Sequence, residues 1–76
     1  MTKQIVQQGR RYRAKVSLGF IERLASNDMV AQRFIDLGFT EVVVTGEGAE
    51  RSAEGLWPLP NAEGEMPSQV TWFTEI

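Results

Sequence analysis

The carboxylates are the first place to look for chemistry. Glu47, Glu50 and Glu54 lie close together, Glu63 and Glu65 follow, and all 76 residues include neither His nor Cys. Paired carboxylates can serve as general acid and base or hold a divalent cation. This spacing lacks the alternating Asp/Asn ligands and the Gly of a calcium loop, so it reads as a solvated acidic edge. Without thiol or imidazole there is no disulfide, no Cys or His nucleophile, and no ordinary Zn, Fe–S or haem site. Gly46-x-Gly48 is the remaining candidate, but it falls between two predicted strands. The helix N-terminus that a phosphate cradle needs is missing there, and a hairpin turn is the better reading. A two-carboxylate enzyme also needs a cleft, which so short a chain seldom builds beside its core. The expectation is a protein that is not an enzyme and has no metal or cofactor.

Aromatic and basic residues offer binding rather than catalysis. Tyr12, Trp57, Trp72 and Phe73 all fall on predicted strands. Sharing one exposed sheet face, they would make a stacking platform for bases or sugars, with Arg11, Arg13 and Lys15 holding an anionic backbone. Tyr12, Arg11, Arg13, Lys15, Trp57 and Trp72 are therefore the candidate binding surface. The competing reading is that Trp57 and Trp72 fill a small core or a dimer interface.

A net charge of −2 argues against a general nucleic-acid binder. Residues 1–40 carry seven Lys/Arg against three Asp/Glu, whereas residues 41–76 carry one Arg against seven Glu. The two halves complement each other if they pair as neighbouring strands. Head-to-tail self-association, or an anionic partner on the first half, would use the same asymmetry.

The elements that must position these residues follow from periodicity. Over Arg11 to Leu18 apolar and polar residues alternate, placing Tyr12, Ala14, Val16 and Leu18 toward a core and Arg11, Arg13 and Lys15 toward solvent. Residues 3–7 either extend that strand or form a separate short one turned at Gln8-Gly9. Ser26 and Asn27 read as caps, which predicts a helix over residues 27–37 with Val30, Phe34 and Leu37 on one stripe. Gly38 is the expected stop, with Phe39 folding back on the last turn. Residues 19–25 become a connection with one helical turn. Glu41 to Thr45 is a β-branched central strand, Gly46-Glu47-Gly48 a turn, and Arg51 to Trp57 a returning strand with Ala53 and Trp57 on one face. Pro58, Pro60 and Pro67 bracket an irregular loop. Gln69 to Ile76 closes the chain, with Val70, Trp72 and Ile76 on one side and Phe73 on the other. The order β-α-β-β-β predicts a single α+β domain over residues 1–76: an antiparallel-rich sheet of about four strands with one helix packed on one face. The opposite face is then open and is the expected seat of function.

Tyr12-Arg-Ala-Lys-Val16-Ser-Leu-Gly19-Phe20, the Ser26-Asn27 helix start with Ala31, Leu37-Gly38-Phe39 and Val42-Val43-Val44 together resemble the first half of a SPOR (sporulation-related) domain. The resemblance covers residues 12–45. It implies binding of septal peptidoglycan glycan strands through the sheet face, outside the cytoplasmic membrane, with Tyr12, Arg13 and Trp57 as contacts. The family's second half repeats strand, helix and strand. Gly55-Leu56-Trp57-Pro58 imitates its glycine turn, but the three prolines of residues 58–68 leave no room for the second helix.

The opening MTKQIVQQGRR has no signal-like apolar segment, and no apolar run reaches the ~18 residues of a membrane span. For a full-length chain this predicts a cytoplasmic protein. The residues support a small interaction module, a homodimer or a binder of another protein, through an open sheet face or edge. Glycan or nucleic-acid binding through the aromatic and basic residues is the alternative.

Overall fold

The computed structural model describes residues 3–76. In chain order the elements are β1 (Lys3–Val6), β2 (Arg11–Ser17), a 3-10 turn (Glu22–Leu24), α1 (Asn27–Leu37), β3 (Thr40–Glu47), β4 (Glu50–Leu56), β5 (Ala62–Glu65) and β6 (Val70–Glu75). Four strands form an antiparallel sheet in the order β3-β4-β2-β6, and β1 pairs with β5 in a two-stranded ribbon. The α+β class and the four-stranded sheet are as the periodicity predicts. Of the two readings of residues 3–7 the separate strand is the one observed, and its partner lies inside the proline-bracketed loop. β3, expected at the centre from its β-branched run, lies instead at one edge of the sheet, where α1 packs on it.

The helix begins and ends where its local chemistry dictates. Ser26 Oγ accepts the Met29 N–H at 3.2 Å, a cap that contributes ~1 kcal/mol. Gly38 takes φ 122°, and behind it the Phe39 N–H reaches Phe34 O at 3.2 Å, closing the end in Schellman fashion. Phe39 then stands edge-on to Phe34 and to Trp57, with ring centroids 6.2 and 4.9 Å apart. Because Phe39 fills the space beneath the last turn, Leu37 does not join Val30 and Phe34 in the core and remains partly exposed.

Alternation along β2 and β4 sets the two faces of the sheet. Tyr12, Ala14 and Val16 lie opposite Gly55, Ala53 and Arg51 on the helix side, where they meet Val30, Phe34, Phe39 and Trp57. Five of the seven aromatic side chains pack against one another here, with Tyr12 stacked on Phe73 at 5.2 Å and 7°. Such pairs contribute about 0.5–1.5 kcal/mol each beyond the area they bury.

Two bulges break the alternation. Along β6 the register shifts between Lys15 and Val16, so Val16 faces Val70 and Lys15 faces Trp72 with Thr71 as the extra residue. Val70 and Phe73 therefore share the core side and Trp72 turns outward. Strict alternation places Val70 with Trp72 and against Phe73; the extra residue moves Val70 to the side of Phe73. The second bulge lies at the start of β3, where the register shifts between Thr40 and Val43 and Glu41 takes φ 51°.

Candidate functional site

The six residues singled out from the sequence do not form one surface. Tyr12 and Trp57 are buried in the aromatic core; the Tyr12 hydroxyl accepts the Gln7 N–H at 2.7 Å and Trp57 Nε1 donates to Pro60 O at 3.0 Å. Arg11, Arg13, Lys15 and Trp72 do share the opposite face, as their register shows. The aromatic platform is thereby reduced to Trp72, with the Lys15 ammonium 6.0 Å from its ring centroid.

The cations of that face are mostly neutralised. Arg13 meets Glu54 at 3.1 Å and Arg11 meets Glu41 at 3.5 Å, while Arg10–Glu75 and Lys3–Glu63 both lie at 3.6 Å. Each ion pair among the described residues joins the basic half of the chain to the acidic half. Exposed pairs of this kind contribute ~0–1 kcal/mol apiece, but they account for the charge asymmetry within one molecule. Among the described residues no group of three acidic side chains could hold a metal ion.

The three most exposed large apolar side chains among the described residues, Leu24, Phe20 and Ile21, lie in the segment that leads into the helix. Because α1 packs over β3 at one edge of the sheet, the helix-side surface of β2 and β6 is only half covered. A groove of about 460 Å³ remains there. Val16, Val30, Phe34 and Val70 form its floor, and Ile21, Leu24 and Met29 stand along its rim. Ile21 is 78% exposed, Leu24 83%, Met29 62% and the adjoining Phe20 82%. Four large apolar side chains this open exceed the scattered exposure usual on a soluble surface.

The rim is held in place from both ends. Arg51 is buried, and its guanidinium donates to Asn27 Oδ1 at 2.8 Å, Ala25 O at 2.8 Å, Arg23 O at 3.0 Å and Gly48 O at 3.1 Å. It thus satisfies the carbonyls that the 3-10 turn leaves over. At the other end, Glu22 accepts the Gly19 N–H at 2.9 Å and the Gln69 side-chain amide at 2.6 Å. These two hydrogen bonds, the backbone one foremost, hold the Glu22 carboxyl below the usual carboxylate range, and Arg33 across the groove adds a lesser attraction.

Ile21, Leu24, Met29, Arg33 and Val70 escape the sequence reading, which seeks function on the face away from the helix. Phe20, Ile21 and Leu24 carried one signal: three large apolar residues in a segment read as a mere connection. Arg51 carried another, being a charged residue in phase with Ala53 and Trp57 on the core side of its strand.

No family model matches the chain, and neither the curated proteins nor the solved structures contain a match. Residues 58–68 hold β5, and no second helix follows α1. No helix among the described residues is long and apolar enough to cross a membrane.

Proposed function

We propose that this protein is a small, non-enzymatic interaction module that associates with itself through the apolar surface beside α1. One observation carries the reading: Ile21, Leu24 and Met29 stand open to water around a groove with a hydrophobic floor, and Phe20, next to Ile21 in the chain, is exposed as well. Covering a side chain of this kind stabilises by about 1.5–3 kcal/mol. A chain of 76 residues has a thin stability margin of its own and gains directly from a partner that covers them. The face away from the helix suits this role less, since Arg11 and Arg13 are paired with carboxylates there and the exposed Val43 and Trp72 stand apart on different strands.

Sedimentation equilibrium tests the proposal. At about 100 μM, above the micromolar Kd of a modest specific interface, the expected mass is twice the 8.5 kDa of the chain. A mass that stays at one chain from about 10 μM to about 1 mM would overturn it.

A further inference from the structure

We infer that the groove is occupied by the 3-10 segment of a second copy, inserted reciprocally, with Ile21 and Leu24 of each protomer lying over Val16, Val30, Phe34 and Val70 of the other. This inference rests on the self-association proposed above and specifies its geometry.

A two-fold interface is made by one patch meeting itself, so that patch must carry both a projection and a hollow that accepts it. Here the two are adjacent: Ile21 and Leu24 project from the rim, and the hollow beside them has an apolar floor. Charge is self-complementary as well. The groove is lined by Glu22 and Arg33, and the inserting turn adds Arg23, so each copy presents both signs and the carboxylate of one can meet a guanidinium of the other.

The areas are of the right order. At 62–83% exposure, Phe20, Ile21, Leu24 and Met29 together offer roughly 500 Å². That is most of the ~800 Å² that one partner contributes to a standard interface, and the walls of the groove supply more.

Rigidity favours insertion of this segment over capture by a flexible loop. Arg51 fixes the carbonyls of Arg23 and Ala25, and Glu22 ties the turn to Gln69. The projecting side chains thus sit on backbone already ordered, which lowers the entropy lost on association. Edge-to-edge strand pairing, the usual competitor, meets an obstacle at both edges of the main sheet. β6 carries the Thr71 bulge and β3 the bulge at Glu41, and bulged edges resist a further strand.

The test is an isotope-filtered NOE experiment on an equal mixture of carbon-13-labelled and unlabelled protein, run beside sedimentation of two variants. Expected are intermolecular NOEs from the Ile21 and Leu24 methyls to those of Val16 and Val70. Leu24→Asp, at a site too exposed to disturb folding, should weaken the dimer at least tenfold. Val43→Asp on the opposite face should leave it unchanged. A dimer whose intermolecular NOEs join Ile21, Leu24 and Met29 of one copy to the same side chains of the other, with none to Val16 or Val70, overturns the reciprocal insertion and leaves the proposed surface standing. NOEs between β6 backbones, or across the face bearing Val43 and Trp72, overturn both. A chain that is monomeric throughout overturns both.

Discussion

Arg51 Nη1 donates to Asn27 Oδ1 at 2.8 Å, joining β4 to the first residue of α1 across the carbonyls of the 3-10 turn. The same guanidinium serves Arg23 O and Ala25 O. Arg51→Met keeps the bulk but leaves these acceptors without a donor. Unfolding in urea should show a loss of about 2–3 kcal/mol, and Arg51→Lys should recover only part of it because an ammonium cannot span the same acceptors. Under conditions where Arg51→Met remains folded, its self-association should also weaken, since Ile21 and Leu24 lose their fixed backbone.

Gly38 is irreplaceable for two independent reasons. Its φ of 122° is closed to side chains, and a Cβ there would stand 2.9 Å from Trp57 Cη2 and Cζ3. Gly38→Ala should therefore destabilise the domain by about 2–4 kcal/mol. Because Trp57 must move, the near-ultraviolet circular dichroism should change along with the unfolding midpoint.

Glu41 occupies a position suited to glycine. An L-residue with φ near 51° sacrifices about 1–2 kcal/mol, whereas the exposed Arg11–Glu41 pair at 3.5 Å contributes less than ~1 kcal/mol. Glu41→Gly should leave stability unchanged or raise it by up to about 1 kcal/mol, the gain limited by the greater freedom of glycine in the unfolded chain. Glu41→Val should lower it. A matched pair of thermal melts would decide the sign.

Glu22 makes the groove acid-sensitive. Its hydrogen bonds from Gly19 and Gln69 hold its folded pKa below the unfolded value. Its contribution is therefore fully present above the ordinary carboxylate range and is lost as pH falls through the lowered folded value. The charged group facing it across the groove is Arg33, and Arg23 follows it in the turn. In an NMR titration the Gln69 side-chain amide should move with a midpoint below that of a free glutamate, and Glu22→Gln should abolish that step.

Local signals were legible and non-local ones were not. Ser26, Asn27, Gly38 and Phe39 announce the helix and its ends because caps and stops act within a few residues. The β1–β5 ribbon stays hidden because Ala62-Glu63-Gly64-Glu65 has no strand propensity and is held by pairing with residues about sixty positions away. The side of the sheet that Trp72 faces turns on one extra residue, Thr71, since a single bulge inverts a period of two. The groove is hidden for a related reason. Hydrophobicity says that Phe20, Ile21, Leu24 and Met29 favour burial, but only the offset of α1 toward β3 shows that their own chain does not bury them.

Spectra recorded on dilution test the central claim most directly. Between about 500 and 5 μM, a range that brackets a micromolar Kd, amide and methyl shifts should change over residues 20–34 and 66–70. Arg11, Arg13, Lys15, Val43, Glu54 and Trp72 should stay still. Spectra that do not change with concentration, or that change at this second set instead, would contradict self-association through the groove.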